Sequence, residues 1–210
     1  MEMGAPLWLF FLMVLGIVAV PGMDMAFIVG SSLAGGRRAG LLAVAGVMTG
    51  AVFHVSATGF GLSLLLKWIP ALFDMLLVGG AAYIVWIGLC LLRAKAGAGL
   101  AQAENAVDGR TTFRRAFLTS ILNPKAYIFT LAVFPQFMQQ GERSLWLQFV
   151  LMGLIIWAVQ AGVYGPIALA AGVARNGLAA RPKLQAWIMR ATALVLVAGA
   201  IATAVEGWRA

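Results

Sequence analysis

Residues 3–36 read MGAPLWLFFLMVLGIVAVPGMDMAFIVGSSLAGG, an apolar stretch in which Asp24 is the only charged residue. A helix that crosses the hydrocarbon core of a bilayer needs about 20 mostly apolar residues. The stretch is long enough for such a span, and Pro21-Gly22-Met23-Asp24 interrupts it. Proline lacks a backbone donor and clashes with the carbonyl one turn earlier, so the sequence predicts a transmembrane helix that breaks at these four residues.

The whole chain has the composition of a membrane protein. Of its 210 residues, 62% are hydrophobic and only 10% are charged, whereas soluble domains carry about 25% charged residues. A soluble fold of this size would keep too little polar surface to face water. Because backbone polar groups find no water in lipid, each apolar run must be helical, and the composition predicts an all-α membrane protein.

Apolar runs separated by charged gaps predict six transmembrane helices, referred to below as the first to sixth spans. They cover residues 3–23, 39–66, 75–92, 116–141, 144–174 and about 184–205. The one long gap, 93–115, is rich in Ala and Gly and is predicted to be a flexible cytoplasmic linker. It divides the chain into two three-helix repeats, 1–92 and 116–210. Halves with an odd number of spans insert in opposite senses, which is the inverted repeat common among secondary transporters.

The positive charges predict the orientation in the membrane. The net charge is +8, and the basic residues cluster in the gaps between spans. Eleven of them lie in the first, third and fifth gaps, against three in the other gaps and at the C-terminus. Loops rich in Lys and Arg stay in the cytoplasm, so both termini are predicted to face the periplasm. We therefore attribute the positive charge to the orientation of the helices in the membrane, and we expect no nucleic-acid partner.

A second interruption lies in the fourth span, at Asn123-Pro124-Lys125. Each half of the chain therefore has a break in its first span. Paired interruptions in corresponding spans of two halves indicate the binding site of a transporter. The alternative is that both are plain proline kinks that only shape the packing of the helices.

Asp24 and Lys125 place one acid and one base beside the two breaks. A charge near the centre of a bilayer costs about 2.5–3.5 kcal/mol on insertion scales, so each needs a partner or a water-filled cavity. Either the two pair with each other, or they bind the two ends of a zwitterion, Asp24 taking the ammonium and Lys125 the carboxylate. The substrate-binding residues predicted around the breaks are Pro21, Gly22, Asp24, Asn123, Pro124 and Lys125.

Further candidates lie on the second and fifth spans. A carboxyl group away from water favours its protonated form, so Asp24 is a candidate proton carrier. His54 is the other, since an unperturbed imidazole titrates near neutral pH; alternatively, it only hydrogen-bonds two helices together. Gln160 and Tyr164 are four residues apart and share a helix face. They either line the substrate cavity or cross-link helices. We expect no metal site and no cofactor.

Together these motifs resemble those of the LysE/RhtB family of amino-acid exporters, over about residues 5–205. The resemblance rests on Pro21-Gly22-x-Asp24, Arg37-Arg38-Ala39-Gly40, His54, Asn123-Pro124-Lys125-Ala126-Tyr127 and Phe134-Pro135-Gln136-Phe137. The family usually has Pro-Gly-Pro at the first motif, where this chain has Met23 in place of the second proline. The resemblance implies a carrier of the bacterial inner membrane that exports amino acids or related metabolites by exchange for protons.

Other classes are less consistent with the sequence. The chain has one His, no pair of intramembrane Asp residues and no Gly-x-Ser-x-Gly turn, so we expect no enzyme. A pore for small polar solutes and a structural membrane subunit remain as alternatives, because broken helices also build pores. A single acid and a single base suit neutral amino acids better than lysine or arginine. Small six-helix exporters often pair, and a homodimer is a further expectation.

Overall fold

The structure, a computed structural model, describes helical segments on both sides of each predicted break. The described residues are 4–59, 108–123, 125–126, 129–130, 134–138 and 144–179, with single positions between 75 and 92 and between 181 and 201. They form α1 (Gly4–Ala19), α2 (Met23–Gly59), α3 (Gly109–Ile121), a 3-10 turn (Phe134–Phe137) and α4 (Leu145–Ala179). None of these residues is in a strand, so the predicted all-α class is confirmed for this part of the chain.

The 37 residues of α2 do not form one straight helix. Gly36 has φ 72° and ψ −168°, a left-handed conformation that glycine adopts without a steric penalty. In a straight helix, residues eight apart would lie about 12 Å apart along the axis. Here Ser32 touches the position where a Cβ on Gly40 would lie. The chain therefore turns sharply at Gly36, and α2 consists of two arms, 23–35 and 37–59, with Arg37 and Arg38 exposed at the turn.

Several predicted boundaries can be compared with the structure. The first span was predicted to break at residues 21–24, and the structure is non-helical at residues 20–22. Met23 and Asp24 already belong to the first turn of α2. The described positions of the third and sixth spans are all helical. The fourth span begins earlier than the predicted residue 116, because the Asp108 side chain caps the helix and accepts from the Arg110 amide at 3.2 Å. The last residues of the predicted linker, 109–115, are thus helical.

Glycines allow the helices to approach closely. A Cβ on Gly46 would lie 2.5 Å from the Phe113 carbonyl oxygen and 2.7 Å from Ala116 Cβ, so α2 and α3 are in backbone contact. A Cβ on Gly172 of α4 would lie 2.7 Å from the backbone nitrogen of Arg37. Close packing of this kind drives helix association in lipid, where helices gain little from the hydrophobic effect.

The outward faces of α1 and α4 carry large apolar side chains. Trp8, Val150 and Leu154 are each more than half exposed, at 62%, 56% and 57%. By length and composition alone, Met23–Gly59, whose second arm (37–59) by itself exceeds the about 20 residues of a span, and Trp146–Arg175 are long and apolar enough to cross a membrane. Leu7–Ala19 is a shorter apolar helix. Contiguous apolar surface of this kind is costly in water and natural in lipid.

Replacing Gly46 with alanine is expected to destabilise the protein by about 1–3 kcal/mol, the usual cost of overpacking a tight contact. The new methyl group would overlap the Phe113 carbonyl, and α3 would have to move away. The measurement is the thermal unfolding midpoint of the purified protein in detergent. Gly162→Ala is the matched control, because no described atom lies within 4 Å of its added Cβ. Equal midpoints for the two variants would contradict direct backbone contact between α2 and α3.

Candidate functional site

The first break separates α1 from α2 by three non-helical residues. The last bond of α1 runs from the Val20 amide to the Gly16 carbonyl at 3.2 Å, and the first of α2 from the Ala26 amide to the Gly22 carbonyl at 2.9 Å. Pro21 has no amide hydrogen to donate. The break therefore exposes carbonyl groups at the end of α1 and amide groups at the start of α2, each of which needs a partner.

The second break follows α3. The Leu122 amide closes the helix on the Leu118 carbonyl at 2.9 Å, and the Asn123 amide bonds to the Ser120 carbonyl at 3.1 Å. The Asn123 side chain then accepts from the Lys125 amide at 3.1 Å, and helix resumes at Lys125 and Ala126. Asn123 thus acts as the N-cap of the next helical segment. Pro124, the predicted residue between them, lies outside the described residues.

Lys125 joins the two breaks. Its Nζ donates to the carbonyls of Ile17 and Val20, to the latter at 3.1 Å. The Cβ position of Gly22 lies 3.8 Å from the same nitrogen, so the first break faces this side chain directly. The ammonium group thus satisfies carbonyls that α1 leaves open, and its charge lies at the negative end of the dipole of α1.

Asp24 lies in the first turn of α2, where the positive end of the helix dipole favours a negative charge. Its side chain is 8% exposed. The Asn123 side chain and the Lys125 ammonium are its polar neighbours from the second break. Within the part of the chain that the structure describes, however, no ion pair joins Asp24 and Lys125. Lys125 bonds to backbone carbonyls instead, and one carboxylate oxygen of Asp24, Oδ1, has no hydrogen-bond partner among those residues.

His54 connects the second arm of α2 to the other break. Its Nε2 lies 3.0 Å from the Ser120 carbonyl, and the imidazole is 3% exposed. A carbonyl oxygen only accepts hydrogen bonds, so Nε2 must carry the hydrogen. Both breaks are therefore bonded by a side chain from another helix, Lys125 at the first and His54 at the second. The predicted role of His54 as an interhelix hydrogen bond is seen here, and the imidazole also faces the cavity described next.

One cavity brings most of the predicted site residues together. Its lining includes the backbone of Gly22 and six polar side chains, those of Asp24, His54, Asn123, Lys125, Gln160 and Tyr164. Gln160 and Tyr164 reach it from α4, and both are buried. Pro21 is the exception among the described candidates, because it is exposed and lies outside this lining.

The cavity also has residues that the sequence did not single out. Val14, Val18, Phe129 and Ile156 form apolar walls, and Thr130 adds a hydroxyl. Val14 and Val18 are one helical turn apart, and Phe129 follows Lys125 by one turn. Residues at this spacing share a helix face, so a helical wheel drawn through each break would have placed them beside the site. Among the described residues no group of His, Cys, Asp or Glu could hold a metal ion.

Comparison with known proteins finds relatives that are named as membrane proteins or efflux proteins. An uncharacterized membrane protein of Vibrio cholerae is 30% identical over 170 residues, which are 80% of this chain and 82% of that protein. The homoserine/homoserine lactone efflux protein of Salmonella typhimurium is 30% identical over 134 residues, 64% of this chain and 65% of that protein. The leucine efflux protein of Salmonella choleraesuis is 33% identical over 131 residues, 62% of each chain.

No solved structure shows significant similarity to this chain. The relatives are named as bacterial membrane or efflux proteins, and the apolar helices agree with a location in the membrane. Residues 15–207 match the LysE type translocators. The resemblance found in the motifs is thereby confirmed, and the chain belongs to the LysE type translocator family.

Proposed function

We propose that this protein is a secondary transporter of the bacterial inner membrane that exports amino acids or related small zwitterions. The observation that carries the proposal is one cavity that receives an acid, Asp24, and a base, Lys125, from two facing helix breaks. Membership of a family of translocators supports transport rather than enzymatic catalysis. The names of two relatives, exporters of homoserine and of leucine, support a neutral amino acid as substrate.

Each end of the substrate has a matching group. Asp24 receives the ammonium, and Lys125 together with the start of α2 receives the carboxylate. Lys125 now bonds to the carbonyls of Ile17 and Val20. A substrate carboxylate therefore competes with the end of α1 for the same ammonium group, which links binding to the geometry of the first break.

Proton antiport drives export in this proposal. A charged Asp24 attracts the ammonium of the substrate, and a protonated one attracts it far less, so a proton and a substrate exclude each other at this carboxyl group. His54 is the second proton-coupling residue, because it lies in the same cavity and bonds to the second break at Ser120.

The proposed architecture is six spans in two inverted repeats, residues 1–92 and 116–210 joined by the segment 93–115. Both termini face the periplasm. The excess of basic residues in the odd gaps supports this orientation. The exposed Arg37 and Arg38 at the turn of α2 then lie on the cytoplasmic side.

Counterflow in proteoliposomes tests the proposal. Vesicles that contain the purified protein and an internal amino acid are given the labelled amino acid outside, from a panel that includes leucine and homoserine. A carrier gives transient, saturable accumulation that a pH gradient changes. A pore gives equilibration without accumulation, and a structural subunit gives no flux at all. Either of the last two results would refute the exporter.

Asp24→Asn is expected to abolish accumulation driven by a pH gradient and to leave the protein folded. The amide has nearly the shape of the carboxyl group but exchanges no proton. The readout is uphill uptake in proteoliposomes, with size-exclusion behaviour as the test of folding. Asp108→Asn is the matched control, since Asp108 lies outside the cavity and asparagine caps a helix as well as aspartate does. Uphill transport that persists in Asp24→Asn would move the coupling role to His54.

Lys125→Met is expected to remove the preference for substrates that carry a carboxylate. Loss of a charged hydrogen bond lowers affinity by about ten- to a hundredfold. The measurement compares inhibition of leucine exchange by leucine and by 3-methylbutylamine, the same molecule without its carboxylate. In wild type, leucine should inhibit exchange more strongly than 3-methylbutylamine does. In Lys125→Met, the two compounds should inhibit equally. Lys183→Met, at an exposed position, is the control and should keep the preference. An unchanged ratio in Lys125→Met would exclude Lys125 as the carboxylate site.

A further inference from the structure

Two buried oxygen atoms in the cavity accept no hydrogen bond from any described residue. They are Oδ1 of Asp24 and Oε1 of Gln160. Both side chains are more than nine-tenths buried, at 8% and 7% exposed. A buried acceptor without a donor costs free energy, so such an oxygen is normally satisfied by a protein group, an ordered water or a ligand.

Two donors of the cavity, on Lys125 and His54, are bonded to backbone oxygens. The Lys125 ammonium bonds to the carbonyls of Ile17 and Val20, and Nε2 of His54 bonds to the Ser120 carbonyl. These donors are held at the two breaks, on backbone oxygens. The two free acceptors can therefore take donors from a ligand without disturbing the bonds that close the breaks.

Asp24 and Gln160 approach the cavity from different helices. Asp24 belongs to the first turn of α2, and Gln160 lies on α4, one turn before Tyr164. Tyr164 lines the same cavity as Asp24. The face of α4 that carries Gln160 and Tyr164 is thus turned towards the carboxylate.

We propose that Gln160 is a specificity-determining residue that, together with Asp24, selects a primary ammonium group on the substrate. This inference rests on the proposed function and names what that site recognises. A primary ammonium has three N–H donors and supplies both acceptors at once. A trimethylated ammonium has the same charge but no donor, and it leaves both oxygens unpaired.

The neutral amide explains how the site can be selective without a second acid. Gln160 adds an acceptor and no charge, so one positive group of the ligand is balanced by Asp24 alone. The discrimination then comes from hydrogen bonds rather than from net charge. Sites built to bond a polar hydrogen reject analogues that lack it far more strongly than apolar pockets reject a missing methyl group.

The test measures binding to the purified full-length protein by calorimetry in detergent, with leucine and N,N,N-trimethylleucine as ligands. Three variants are compared with wild type. Gln160→Met removes the acceptor at similar volume, and Gln160→Glu keeps acceptor oxygens at this position. Gln148→Met is the matched control, a buried glutamine on the same helix that is outside the cavity lining.

Wild type, Gln160→Glu and Gln148→Met are expected to bind leucine at least about tenfold more tightly than its trimethylated form. In Gln160→Met the ratio should fall several-fold, mainly through weaker leucine binding. Exchange of leucine in proteoliposomes provides the second readout.

If wild type exchanges leucine but Gln160→Met keeps the wild-type ratio, this inference is wrong and the proposed function stands. If wild type neither binds nor exchanges any amino acid of the panel, the proposed function fails and the inference with it.

Discussion

A helix that ends in the interior of a protein, away from water, leaves carbonyl and amide groups that need partners there. Two such ends meet in this protein, and side chains from other helices supply the bonds. Lys125 bonds to the carbonyls at the end of α1, and His54 bonds to the Ser120 carbonyl at the end of α3. Asn123 caps the segment that follows the second break. The residues that close the breaks thus also supply part of the polar lining of the cavity.

Close packing brings those bonds within reach. The turn at Gly36 folds the two arms of α2 against each other, so that Asp24 on one arm and His54 on the other face a single cavity. Gly46 then lets α3 approach the second arm in backbone contact, which places Ser120 beside His54. A side chain at Gly46 would push α3 away from the second arm, and any side chain at Gly36 would strain the turn because of its positive φ. The site therefore depends on small residues that never touch a ligand.

The sequence predicted the two breaks because proline and intramembrane charge have local physical consequences. It also predicted that Gln160 and Tyr164 share a face, since helical periodicity fixes that relation. The sequence predicted only a gap between spans near Gly36. The sharp turn itself was not predicted, because it depends on the backbone conformation of one glycine with helix on both sides. The bonds of Lys125 to the end of α1 join residues 105 and 108 positions apart in the chain, and local pattern carries no information about them. The inclusion of Pro21 in the binding site was a prediction from sequence adjacency, but its exposed side chain is outside the cavity lining.

Met23 shows which part of the first motif the break requires. It occupies the first position of α2, where the family usually has a second proline. Proline is tolerated there because the first amides of a helix have no partner within it, and for the same reason another residue can replace it. The helix still ends at Ala19 and begins again at Met23. Pro21, which lacks a donor, and the Lys125 ammonium, which bonds to the open carbonyls, are together sufficient to account for the interruption. A second proline at position 23 is therefore not needed to place this break.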